Sequence, residues 1–171
     1  VAVGLMSQGR MTMYAGGVPE ALGLLDESMA LVAAGEVSPI IGGVAYCTMI
    51  DACQEIDDFR RMTDWTRMLS QWCEQQPDLV PYTGQAAVHR AQIMRLHGAW
   101  SDALEQARRA CVRCHGVNER AVAIAFYQQG EVHRLRGQVD AAEQAYRDAS
   151  QRGLEPQPGL ALLCLTHGRG P

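Results

Sequence analysis

Cys111-Val112-Arg113-Cys114-His115 is the string in this chain whose residue types and spacing could do the most chemistry. C-x-x-C-H is the pattern through which c-type haem is attached. Attachment requires export and a second axial ligand, and no export signal opens the chain. The same residues are weak candidates for zinc, with His89 or His97 as a fourth ligand. The plain alternative is two small apolar thiols near the end of a helix. Cys47, Cys53, Cys73 and Cys164 follow without pairing rhythm, as buried free thiols in a reducing cytoplasm would.

Two charged sets come next. Asp51, Glu55 and Asp58 stand at i, i+4 and i+7 and so share a helix face, which could hold a cation or a basic peptide or simply be solvated or line a groove. Arg108, Arg109, Arg113 and Arg120 form a basic patch that could meet phosphate. Arg108 and Arg109 also fall in the last turns of a helix, where cations are favoured electrostatically. No P-loop, dinucleotide glycine fingerprint, H-E-x-x-H or G-x-S-x-G string occurs. The five histidines have no nucleophile at motif spacing. The expectation is therefore no enzyme, no cofactor and no metal.

These side chains are positioned by a repeat. Phe126, Gly130, His133 and Gly137, followed by Ala142, Tyr146 and Ala149, set a frame that Ala87, Ala91, Met94 and Gly98, followed by Ala103, Ala107 and Ala110, spell again. Leu5, Gly9, Gly16, Ala21, Leu25 and Ser28 lie at matching offsets. The turn midway between Gly16 and Gly98 falls at Asp57, with Ile50 at the small position and Met62, Thr66 and Leu69 on the second helix. A large–small alternation of this kind lets two helices approach within ~8–10 Å. Gly9, Ala91 and Gly130 are then the close-approach positions, and Phe126 and Tyr146 the fillers.

This frame resembles the tetratricopeptide repeat: large, small, large, a turn glycine, then Ala, aromatic, Ala. The resemblance implies an all-α fold, a right-handed superhelix of about four hairpins (2–34, 39–75, 82–114 and 120–152) plus a partial helix at 159–167. Pro19 and Ser38-Pro39 mark helix starts, Gly35 and Gly153 mark helix ends, and Ser101 is a candidate cap. Pro77 and Pro81 are expected to break the chain before residue 82. Phe126, Tyr146, Trp65, Trp72 and Leu25 are the expected core. The whole chain reads as one helical-repeat domain. It begins with Val1 within an apparent helix and is expected to be a fragment of a longer protein.

Composition agrees. The apolar fraction is 47% and the net charge −4, so there is no global attraction to nucleic acid or to an anionic membrane. No apolar run nears the ~20 residues that span a bilayer. Lys is absent and Arg supplies every basic side chain, a bias that suggests a GC-rich bacterial genome. A cytoplasmic protein is expected.

More particular wording narrows the resemblance. Ala52-Cys53-Gln54-Glu55, Asp64-Trp65-Thr66, Gln76-Pro77-Asp78-Leu79-Val80-Pro81, His97-Gly98-Ala99-Trp100, Glu131-Val132-His133-Arg134-Leu135-Arg136-Gly137 and Glu155-Pro156-Gln157-Pro158-Gly159-Leu160 look like the repeat region of actinobacterial LuxR-type transcriptional regulators. That resemblance implies a non-catalytic interaction or sensor module whose DNA reader lies outside this chain. The alternative is a free-standing scaffold or adaptor unrelated to transcription.

Aligning the first helices by their small positions sends Cys47, Thr48, Asp51 and Gln54, then Val88, His89, Gln92 and Arg95, then Tyr127, Gln128, Glu131 and Arg134 into a concave groove. The groove would take a protein segment, a peptide or a small effector. An amphipathic helix or extended peptide bearing both charges suits it. Arg95 and Arg134 can each hold a carboxylate with two hydrogen bonds, or can pair with Glu131 and neighbouring acids. Leu160, Leu162 and Leu165 would leave an apolar repeat end open to self-association.

Overall fold

The structure is a computed structural model that describes residues 1–76 and 80–168. Among these residues it is all helix and turn, with no strand. Four helical hairpins follow one another: α1 (Ala2–Tyr14) with α2 (Val18–Ala33), α3 (Pro39–Glu55) with α4 (Phe59–Glu74), α5 (Val80–Leu96) with α6 (Trp100–Cys114), and α7 (Glu119–Leu135) with α8 (Val139–Ser150). A short α9 (Gly159–Thr166) comes last. The chain divides into two compact units, Val1–Leu79 holding α1 to α4 and Val80–Pro171 holding α5 to α9.

One backbone device closes all four hairpin turns. The amide of Gly16 donates to the Met13 carbonyl and that of Gly17 to Thr12, at 2.9 and 3.0 Å. The same pair recurs as Asp57 to Gln54 with Asp58 to Cys53, as Gly98 to Arg95 with Ala99 to Met94, and as Gly137 to Arg134 with Gln138 to His133. Gly16, Asp57, Gly98 and Gly137 all have positive φ, from 57° at Asp57 to 89° at Gly16. The closure needs a left-handed residue, which glycine supplies freely and aspartate tolerates. The expected turn at Asp57 is therefore present without a glycine.

Helix starts depart from the sequence reading in two places. Ser101 does not cap α6: Ala99 holds the cap position without a side-chain bond, and the Ser101 hydroxyl, inside the helix, accepts from Arg136 at 2.9 Å. Nor does Pro81 precede α5. The helix begins at Val80 and takes Pro81 into its first turn, where a missing N–H leaves no bond unmade; Pro77 lies outside the described residues. Ser38, Asp58 and Asn118 do cap, their side-chain oxygens accepting from the amides three residues on.

Within the first unit, a Cβ on Gly9 would sit 3.0 Å from Leu25, so α1 and α2 meet where one of them lacks a side chain. In the second unit the same relation is tighter: a Cβ on Gly130 would lie 2.5 Å from the Tyr146 ring. Tyr146 and Leu25 are fully buried as expected. Phe126, Trp65 and Trp72 are only half-buried. Each sits at the edge of the packing: Phe126 flanks the Ala87–Ala110–Ala125 cluster and carries Arg152 over its ring at 4.6 Å. Tyr46, from α3, lies between the two tryptophans at 6.1 and 5.7 Å. On α9, Leu163 is buried against Tyr146 and Ala142, Leu160 is half-buried, and Leu162 and Leu165 face outward.

Candidate functional site

The C-x-x-C-H string is pulled apart by the end of α6. Cys114 is wholly buried, and its thiol fills the space that a side chain on Gly84 of α5 would need. Burial pushes that thiol up from its ordinary pKa. Cys111, one turn earlier, is half-buried, accepts from the Gln129 amide at 3.4 Å and is pushed up to about 11, burial being the largest cause. His115 follows the helix and is exposed, with Glu119 3.6 Å away. The second thiol and the histidine therefore stand in opposite environments. His89 is buried on α5 and His97 exposed beside its turn. Among the described residues no three His, Cys, Asp or Glu side chains gather as they would to hold a metal ion.

The acidic triad disperses because Asp58 is not on the helix of the other two. It caps α4, accepting from the Arg61 amide at 3.1 Å. Glu55 takes Arg10 of α1 at 2.5 Å, and Asp51 stays exposed. The arginines Arg108, Arg109 and Arg113 do share an outward face of α6, and Arg120 is exposed at the start of α7.

The groove residues of the second unit converge. Arg95 donates through Nε to Gln128 Oε1 at 3.0 Å and stands 3.6 Å from Glu131. Arg134 grips both oxygens of Glu131, at 3.1 and 2.9 Å. The hydroxyl of Tyr146 donates to Glu131 Oε1 at 2.6 Å. Gly159, first residue of α9, lies against the same carboxylate and the Tyr146 hydroxyl, and its amide reaches the Tyr127 hydroxyl. Any Cβ at position 159 would collide with this cluster. Burial alone would raise the Glu131 pKa; the hydrogen bonds from Arg134 and Tyr146 and the charges of Arg134 and Arg95 outweigh it and lower the value below 4.5. Tyr146, desolvated and facing that carboxylate, moves up. Gln128 is buried within this network, Gln92 and His89 are buried on α5, Val88 is in the core, and Tyr127 is half-buried with its ring 5.9 Å from that of Tyr146.

No family model, curated protein or solved structure matches this chain. The geometry of its side chains is thus the guide to what the site can do.

In the first unit, Cys47 and Thr48 are half-buried, while Asp51 and Gln54 are exposed. Burial, with Asp51 and Cys73 nearby, drives the Cys47 thiol far up. A shallow, largely apolar dish that the sequence reading did not identify lies between α1 and α3, formed by Val3, Arg10, Met11, Tyr14, Val44 and Thr48. Arg10 is held there by Glu55 and by Tyr14, whose hydroxyl is 2.6 Å away. The signal in the sequence was the run Val3, Ser7, Arg10, Met11, Tyr14 at helical spacing. The partners missed in the second unit are Tyr146, placed in the sequence only as a filler, and Gly159. A buried tyrosine hydroxyl needs a partner, and Glu131 is fifteen residues before it.

Proposed function

We propose that this chain is a non-catalytic interaction or sensor module of tetratricopeptide type. It would serve a larger, cytoplasmic bacterial transcriptional regulator whose DNA reader lies elsewhere. The observation that carries the reading is the fourfold turn closure at Gly16, Asp57, Gly98 and Gly137. A hairpin repeated at nearly constant pitch, with a glycine–tyrosine or glycine–leucine contact inside it, is how helical arrays build extended binding surfaces. The non-catalytic part is supported by where the reactive groups go. Cys114 is wholly buried and Cys47 and Cys111 half-buried, each thiol pushed up by burial, and Glu131 is committed to two arginines and a tyrosine. No described helix is long and apolar enough to cross a membrane.

The partner suited to the exposed part of the surface is a peptide or helix that lays apolar side chains on Met11, Tyr14 and Val44 and meets Asp51 and Gln54 with polar groups. Within the second unit, Arg95 and Arg134 brace that unit's own helices, since their charge is already matched by Glu131.

The parent reading frame and a promoter-reporter assay test the proposal together. A helix-turn-helix in the same frame is expected, and removal of residues 1–171 from the full-length protein should change the promoter's response. A frame without a DNA-reading segment, or a response indifferent to the removal, overturns it in favour of a free-standing adaptor.

A further inference from the structure

The two units carry opposite charge. Val1–Leu79 has four arginines and eleven acids, net −7, and Val80–Pro171 has eleven arginines and eight acids, net +3. Some surface charges are matched locally: Arg61 by Asp26, Arg67 by Asp64, Arg147 by Glu143. Two outward helix faces carry charges that are not. On α6, Arg108, Arg109, Val112 and Arg113 line one shallow surface with Glu105, which pairs with Arg109. Among the described residues, Arg108 and Arg113 have no carboxylate partner. Val112, at the centre of the patch, is 81% exposed. On α2, Glu20, Leu24, Glu27 and Leu31 recur at i, i+4, i+7 and i+11 and so share a face. Both glutamates are exposed and have no cationic partner among the described residues, and both leucines are half-buried. Beside them Gly23 is exposed, with open space where a Cβ would be, so a second helix can come close.

We propose that these two faces dock on each other between copies of the chain, α2 of one molecule against α6 of a second. Glu20 and Glu27 would meet Arg108 and Arg113, and Val112 would lie against Leu24 at the glycine gap. The chemistry favours this occupant over a nucleic acid. A phosphate backbone would engage the guanidiniums but leave Val112 in water, whereas the acidic stripe of α2 supplies both the carboxylates and an apolar strip. The contact uses neither the α1–α3 dish nor the outward leucines of α9, so it is independent of the proposed function.

Sedimentation of the whole chain over a wide concentration range tests the docking. At low ionic strength, about 0.02 M, the mean mass should climb toward twice the monomer's or beyond, and it should return to the monomer near 1 M salt, where the screening length is ~3 Å. R108E/R113E and E20R/E27R should each be monomeric, and their mixture should associate again because the reversed faces now match. Circular dichroism of both variants checks that they fold. A chain that stays monomeric throughout overturns the proposal. So does association that ignores salt and charge reversal, or association unchanged in R108E/R113E while that variant loses binding to a duplex DNA probe.

Discussion

The second and fourth hairpins solve one packing problem in opposite ways. In the fourth, the first helix offers no side chain at Gly130 and the second fills the gap with Tyr146. In the second, Ile50 occupies the corresponding place and is fully buried, and the aromatic filler comes from the first helix instead, as Tyr46 between Trp65 and Trp72. The turn is the same in both, down to its two hydrogen bonds. Turn geometry keeps the repeat in register, and side-chain volume is free to change hands across the hairpin.

Variants can break or sharpen this contrast. Tyr146→Ala should have the largest effect, ~3–5 kcal/mol of unfolding free energy, because it empties the slot beside Gly130 and frees the Glu131 carboxylate. Trp65→Ala, at a half-buried ring, should cost less in the same chemical denaturation experiment, and equal costs would erase the distinction. Ile50→Ala should cost ~2–4 kcal/mol by leaving a cavity. Glu131→Gln should cost about 2 kcal/mol near neutral pH: losing one partner of a buried pair is worth more, but the Arg95 and Arg134 side chains are 19% and 17% exposed and partly solvated. The sign with pH follows from the lowered pKa of Glu131. Its stabilisation is complete above the unfolded value of ~4.3 and is lost as pH falls through the lower folded value. The gap between wild type and Glu131→Gln should therefore close on acidification, and a gap that widens would show the carboxylate is not held ionised. Gly130→Ala should destabilise by ~1–2 kcal/mol, overpacking against Tyr146 outweighing better helix propensity. The smallest change is Asp57→Gly, which should stabilise the second hairpin by up to ~1 kcal/mol because glycine takes positive φ without strain. A loss there would mean the Asp57 side chain contributes something beyond the turn.

The hairpins were legible because the residues that make them obey local rules. A left-handed turn selects glycine, so Gly16, Gly98 and Gly137 announce themselves, and constant spacing then locates Asp57. Ser38 and Asn118 differ in how readable they were: Ser38 precedes a proline and signals a start, whereas Asn118 lies in a polar stretch that reads only as connector. The fate of the C-x-x-C-H string was less accessible. That Cys114 fills a notch at Gly84, thirty residues back, follows from how α5 crosses α6, which no local pattern encodes. The convergence of Arg95 and Arg134 on Glu131 was within reach as one of two outlets for the arginines. Spacing alone does not decide between a partner inside the chain and one outside it, because a guanidinium satisfies either with the same two hydrogen bonds.

The hairpin joints differ in what they ask of the chain on each side. The three first helices that follow a connector, α3, α5 and α7, are all 17 residues long, while α2, α4, α6 and α8 run to 16, 16, 15 and 12. Length is therefore fixed upstream of each turn and elastic downstream of it. Over generations, insertions and deletions should collect in the second helices and in the connectors after them. Each turn is closed by main-chain atoms in one geometry, so the boundaries at which a whole hairpin could be exchanged as a cassette are the connectors between hairpins, not the turns within them.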